Sequence, residues 1–246
     1  MRECLPEELL IDTIAGLLGD CRHIAVGVLS PIPGSAALLA SSRSGARVSI
    51  IGCNLPRYRS GGGVELFDSA AQGRIDAFFL SGGQIDGQAN INLTGIGDYP
   101  AMDVRWSGAF GSAFLYYLVP KVILFRQEHT RRIFVPKVDF VSSPGTSEPG
   151  VARRGGPYAL VTGLCVMMFD GHRGRFRLQC VHPAHSLEEV RDNTGFDFDI
   201  PETVPETALP SPEDLKTIRE TVAPIIADPY PKFAESLFGI STSMPA

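Results

Sequence analysis

The chain of 246 residues carries 22 basic and 27 acidic side chains, a formal net charge of −5, and is 44% hydrophobic and 20% charged. That length suffices for a buried core, and so small a net charge at that hydrophobic content excludes a disordered chain; the acidic balance, with no Lys/Arg run longer than two, argues against a nucleic-acid partner, which needs a basic stripe. No apolar stretch reaches the ~18 residues of a membrane span, Met1 to Glu8 lack the basic flank of a signal peptide, and five widely spaced cysteines (Cys4, Cys21, Cys53, Cys165, Cys180) fit reduced cytoplasmic thiols rather than a disulfide frame or a metal knot.

In chain order, Leu5, Leu9, Leu10, Ile14, Leu17 and Leu18 recur at helical spacing behind Pro6 and two glutamates, whose charge suits a helix N-terminus. His23 to Leu29 is a short apolar run of strand type. Pro33 to Ala40 reads as a small-residue helix packed tightly on a sheet, and Arg47 to Ile51 as a second buried strand ending at Gly52-Cys53-Asn54. After Gly61-Gly62-Gly63 comes an amphipathic helix from Val64 to Gln72 that Gly73 could cap, then an apolar strand from Ala77 to Leu80. Residues 82–99 are almost all turn formers and amides. Val122 to Phe125 and Ile133 to Val141 are predicted as strands, Tyr158 to Met168 and Phe176 to Val181 as a late β pair. The chain turns helical from Ser186 and again from Ser211, where Ser, Pro and acids make a helix start. Short apolar strands alternating with helices predict an α/β protein, an open and mostly parallel sheet with helices on both faces. A single domain over 1–240 is expected, with 241–246 a loose tail.

In such a sheet the loops past the strand C-termini line the ligand crevice, and 26 glycines with 19 prolines supply many turns. Three loops stand out. Gly52-Cys53-Asn54 could present a thiol to a cleft or simply bury a structural cysteine. The run Gly82, Gly83, Gln84, Asp86, Gln88, Asn90, Asn92 offers donors and acceptors to a polar ligand, or is a set of Asx turns; it is neither a P-loop nor a GxGxxG motif. Gly108-Ala109-Phe110-Gly111 ahead of an apolar segment could aim backbone N–H groups at an oxyanion, or be a tight turn. His182 and His185 bracket Pro183 with no third ligand, so no metal site is expected. Arg131-Arg132 and Arg153-Arg154 suit solvent, a partner's carboxylates or a phosphate.

The runs FFLSGGQIDGQANINLTGIGDY (78–99), RRIFVPKVDFVSSPG (131–145) and NTGFDFDIPE (193–202) together resemble the β subunit of family I CoA-transferases, of the glutaconate CoA-transferase type, over roughly residues 5–225. The resemblance implies an open α/β/α fold, an α-type partner subunit in an α2β2 or higher assembly, and an acyl-CoA site between the subunits, with coenzyme A entering as part of the substrate and no permanently bound cofactor. In that family a glutamate at the end of the strand matching RVSII forms a glutamyl-CoA thioester. Cys53 stands at that position, and no acid lies within ten residues on either side. The family's glycine-rich oxyanion loop matches Gly108 to Gly111, with Phe110 in place of a glycine. Some relatives of this fold have left transfer chemistry behind: a 3-methylglutaconyl-CoA decarboxylase, which resembles the chain in having a cysteine at the glutamate position, and ring-opening hydrolases of steroid catabolism, which act on CoA thioesters of cyclic keto acids.

The resemblance therefore implies a cytoplasmic β-type subunit acting on the CoA thioester of a dicarboxylic or keto acid, by decarboxylation or hydrolysis rather than transfer. Cys53 is its expected catalytic residue. Gly52, Asn54, Gly82, Gly83, Gln84, Asp86, Asn90 and Asn92 are the expected binding wall, and Gly108, Ala109, Phe110 and Gly111 the oxyanion donors. CoA transfer with an acid from the partner, or a non-catalytic subunit stabilising an active α chain, remain the alternatives.

Overall fold

The computed structural model describes residues 3–240, and the expected tail at 241–246 lies outside them. The chain forms two compact units, one made of the residues up to Phe78 together with those from Ala208 on, the other of Phe79–Thr207.

The first unit runs α1 (Pro6–Leu17), β1 (His23–Val26), α2 (Pro31–Ser44), β2 (Arg47–Ile50), α3 (Gly63–Ala71) and the first half of β3 (Ala77–Leu80). β1 lies parallel to β2, His23 opposite Arg47 through Val26 opposite Ile50, and parallel to β3 through Ile24 opposite Ala77. All but the exposed ends of these strands are buried, which is why they read as continuous apolar runs without alternation. α2 covers one face of β1 and β2 and is itself covered by α1. Ten of its residues are buried, and small side chains make that close approach tolerable; at Gly34 a β-carbon would lie 3.0 Å from Ile226. α3 lies on the face that bears His23, Ala25 and Ser49. Ile11, Ile14, Leu18, Ile24, Leu39 and Ile50 are the heart of this core, each worth roughly 1.5–3 kcal/mol of transfer from water.

The second unit takes the rest of β3 and adds two short hairpins, β4 (Gln84–Ile85) with β5 (Ile91–Asn92) and β6 (Gly95–Ile96) with β7 (Val104–Arg105). Then follow α4 (Ser112–Leu118), β8 (Lys121–Arg126), β9 (Pro157–Thr162), β10 (Cys165–Asp170), β11 (Arg175–Val181) and α5 (Leu187–Asn193). β8 and β9 are parallel, whereas β9, β10 and β11 form an antiparallel ladder. Two expectations are corrected here. Tyr158 to Met168 is two strands folded back at Gly163, whose N–H bonds to the Gln127 carbonyl. Ile133 to Val141 is irregular: Pro136 removes a donor, and the segment instead exchanges single backbone bonds with the hairpins, Val135 N–H to Ile85 O and Ile85 N–H to Ile133 O.

The chain then returns to the first unit through α6 (Pro212–Thr217), a π turn (Ile218–Val222), α7 (Ala223–Ile226) and α8 (Pro231–Phe238). Ser211 caps α6 by accepting the Asp214 N–H, as its Ser-Pro-acid start predicts.

Candidate functional site

In the first unit, β2 ends at Ile50 and a turn through Gly52, at φ +89°, delivers Cys53. That positive φ is open to glycine at no steric cost, and it leaves the Cys53 side chain buried, 3% exposed. The acid missing from the local sequence arrives from the other end of the chain. Asp228, in the turn after α7, accepts the Asn54 N–H at 2.6 Å on Oδ2 and the Asn54 side-chain amide at 3.3 Å on Oδ1. Tyr230, two residues on, donates its hydroxyl to the Gly27 carbonyl at 2.9 Å, beyond the end of β1.

Burial first, and then the Asp228 carboxylate, pushes the Cys53 thiol up to about 11. Burial works against ionising Asp228 as well, but the Asn54 N–H, the Cys53 thiol and the Asn54 and Leu55 amides together hold it below the usual carboxylate range. At neutral pH Cys53 is thus a protonated thiol and Asp228 an ionised carboxylate. Neither Asp228 nor Tyr230 was legible as a site residue: 174 positions separate Asn54 from Asp228, and an Asp-Pro-Tyr turn carries no signal of its own. The same loop holds Arg57, over the Tyr58 ring at 5.6 Å, and Arg59. Neither guanidinium has a carboxylate within 4.0 Å among the described residues.

In the second unit, the amide-rich run is a hydrogen-bonded knot. Gln84, Asp86 and Asn92 are buried. Asp86 accepts from Gln88 N–H, Asn90 N–H and the Asn90 side-chain amide at 3.0–3.1 Å. Asn92 donates to Gln84 Oε1 and Gly95 O at 2.7 Å and accepts the Thr94 N–H, while Gln84 Oε1 also takes the Asp139 N–H. Asn90 Oδ1 accepts the Gly145 N–H. These side chains therefore spend these polar groups on one another and on the loop backbone. Gly82 and Gly83 are filled positions: a β-carbon on Gly82 would lie 2.7 Å from Ile91 and one on Gly83 2.2 Å from the Trp106 ring.

The turn Gly108-Ala109-Phe110-Gly111 is distinct from that knot. Gly108 and Gly111 take φ of +95° and +72°, and Phe110, 78% exposed, takes +38°. Backbone strain at a bulky residue is a feature that functional loops retain. The N–H groups of Gly108, Ala109 and Gly111 find no acceptor among the described residues.

Other singled-out residues are structural. His182 is buried between Thr207 Oγ1 and the Thr162 carbonyl, and His129 between Thr162 and Thr194 hydroxyls; burial lowers both to about 4. Arg153 lies over the Tyr116 and Tyr117 rings and donates to Pro144 O, Ser147 Oγ, Gly155 O and Tyr116 O, so its charge is occupied inside the unit. In the NTGFDF run, Phe196 stacks on Phe176 at 5.7 Å and meets Phe134 edge-on at 6.3 Å.

A parallel sheet with a reactive-type side chain just past a strand end is the geometry of α/β proteins that act on bound small molecules. The sequence model of the Coenzyme A transferase family matches residues 11–193; the chain belongs to that family. It is 38% identical over 154 residues to the B-type subunit of the 3-oxoadipate CoA-transferase of Pseudomonas knackmussii, covering 60% of this chain and 58% of that one. To the B-type subunit of the glutaconate CoA-transferase of Acidaminococcus fermentans it is 36% identical over 153 residues, covering 59% and 56%. The chain thus spans less than three fifths of the length of these curated relatives. Among solved structures, that glutaconate CoA-transferase superposes with a TM-score of 0.73 at 28% identity over 88% of this chain and 94% of that one. A cysteine-to-alanine variant of the decarboxylase AibA/AibB does so with 0.72 at 26% over 88% and 95%.

Proposed function

We propose that this chain is the β-type subunit of a two-subunit enzyme acting on the CoA thioester of a dicarboxylic or keto acid, by decarboxylation or hydrolysis rather than CoA transfer. One observation carries this. The strand end where the family's glutamate is expected bears the buried thiol of Cys53, and the carboxylate beside it, Asp228, has both oxygens committed to Asn54. A glutamyl-type CoA thioester needs a carboxylate as nucleophile, and the Asn54 hydrogen bonds to both Asp228 oxygens stabilise that carboxylate and blunt it as one. A neutral thiol costs less to bury than a carboxylate and does not repel a substrate carboxylate. In a weakly solvated pocket such a carboxylate leaves as CO2 while electrons flow into the conjugated thioester. Arg57 and Arg59, free of internal carboxylates, support an acyl group carrying a second acid. The unpaired amides at Gly108, Ala109 and Gly111 suit the thioester oxygen. The likeness to B-type subunits of two-subunit transferases supports an α-type partner and an α2β2 or higher assembly. Five free thiols support a reducing, cytoplasmic setting.

The test is to co-purify the chain with its α-type partner and offer the complex CoA thioesters of dicarboxylic and cyclic keto acids. Release of CO2 or of a ring-opened product, with no hydroxylamine-trappable protein thioester, supports the proposal. Transfer of CoA to a free acid through a trapped adduct overturns it, as does full activity in the isolated partner.

A further inference from the structure

We infer that Leu29 is a specificity-determining residue: with Val28 it forms an apolar lip beside the Cys53 turn and selects acyl groups whose hydrocarbon body is branched or cyclic. This rests on the reading above that Cys53 faces an acyl-CoA. The placement follows from the sheet. β1 and β2 are parallel neighbours with Val26 opposite Ile50, and the Ile51 N–H still bonds to the Val26 carbonyl at 3.1 Å. Neighbouring strands lie about 4.8 Å apart. The loop from Gly27 to Ser30 and the turn that carries Cys53 therefore leave the sheet side by side at its C-terminal edge, where open α/β sheets hold their ligands. One turn fastens both. Asp228 accepts the Asn54 N–H at 2.6 Å and the Asn54 side-chain amide at 3.3 Å, and two residues on the Tyr230 hydroxyl donates to the Gly27 carbonyl at 2.9 Å.

Leu29 is unfavourable twice over. Its φ of +55° lies in the left-handed region, where a β-carbon crowds the following carbonyl, and the residue is 90% exposed. The conformation is held from both sides: Gly27 is tied to Tyr230, the Ser30 hydroxyl donates to the Val28 carbonyl at 3.0 Å, and the Ser30 carbonyl accepts the Gly34 N–H at 2.8 Å in the first turn of α2. Strain kept at a bulky side chain that packs against nothing inside marks a group that acts on something outside the chain. That something is small. Val28, Leu29 and, on the neighbouring loop, Leu55 are the exposed large apolar side chains of these two loops. Three side chains fall short of the roughly 800 Å² that a protein partner covers on one side and match a single acyl group. The loop after β2 adds Arg57 and Arg59, with no carboxylate within 4.0 Å among the described residues. An acid with an apolar body satisfies both features, whereas a straight-chain diacid has little apolar surface for the lip to cover.

The test is calorimetric binding to the chain in complex with its α-type partner. The probes are two unreactive CoA thioethers, one carrying a straight-chain diacid and the other the same diacid with a cyclohexyl branch. The parent complex is expected to bind the branched probe at least tenfold more tightly. Leu29→Gly should bring the two within threefold by weakening the branched probe alone, and Leu29→Met should keep the preference. Glycine takes this φ without crowding, so Leu29→Gly is expected to melt at or above the parent temperature, which separates lost affinity from lost folding. No preference in the parent, or one unchanged in Leu29→Gly, overturns the lip. So does a Leu29→Gly complex that dissociates more readily in sedimentation while its preference stands, since Leu29 would then be a subunit contact. A parent complex that binds neither probe overturns the functional reading, and the lip with it.

Discussion

Arg219 grips Glu8 with two hydrogen bonds, Nε to Oε1 at 2.6 Å and Nη2 to Oε2 at 2.7 Å, across 211 residues of sequence. Glu8 is 1% exposed and also accepts the Leu5 N–H, closing the first turn of α1. The pair therefore ties the N-terminal helix to the π turn of the C-terminal segment. Removing one partner leaves a buried carboxylate uncompensated, which costs about 3–5 kcal/mol, more than the intact pair contributes. Arg219→Ala is expected to lower the urea midpoint accordingly, while the double variant Glu8→Gln, Arg219→Met should recover most of the loss. A single variant within 1 kcal/mol of the parent would show the pair to be idle.

That connection matters for the site, because the segment Arg219 anchors goes on to carry Asp228. It also marks the limit of what was legible in the chain. β1, β2 and β3 stood out because a strand buried on both faces is an unbroken apolar run, and the turn after β2 placed Cys53 correctly at a strand end. Asp228 could not be found that way, since its role depends on a contact between distant segments and leaves no local period. The amide-rich run shows what composition alone leaves open. Gln84, Asp86 and Asn92 look ligand-facing by composition, yet buried polar groups must be satisfied, and here they satisfy one another.

Gly83 gives a direct readout of that knot. Trp106, the chain's single tryptophan, occupies the space a β-carbon would take, with ring atoms 2.2–2.6 Å from its ideal position. Gly83→Ala is expected to displace the indole, shift its fluorescence to the red and cost about 1–3 kcal/mol by overpacking. An unshifted spectrum with unchanged stability would mean that the ring does not rest there.

Acidification should destabilise the second unit through its histidines. Burial lowers His129, against a small opposing effect of Glu189, and lowers His182 with help from His185, both to about 4. In the unfolded chain each binds its proton near pH 6.5. Between about 4 and 6.5 the unfolded state thus holds more protons than the native one, so stability falls as pH falls through that window. The limit is on the order of 3 kcal/mol for each histidine at the acid end. Denaturant titrations at pH 7 and pH 5 check this, and His129→Gln should flatten the slope; an equal slope in that variant counts against His129 as a source.

Returning a glutamate to the end of β2 is expected not to create a CoA-transferase. In Cys53→Glu the new carboxylate would be buried at a site 3% exposed and beside Asp228, which its amide donors keep ionised. Burial and like charge act in the same direction, raising the pKa of the newcomer. A protonated carboxyl is no nucleophile, and ionising both acids in one pocket costs stability. The variant should therefore show loss of the parent activity, no borohydride-sensitive protein thioester at pH 7, and a lowered melting temperature that improves when Asp228→Asn is added. With the competing charge removed, that double variant is the one in which a trapped adduct would first be looked for. A trapped thioester in Cys53→Glu alone would show that Asp228 does not set the charge of this site.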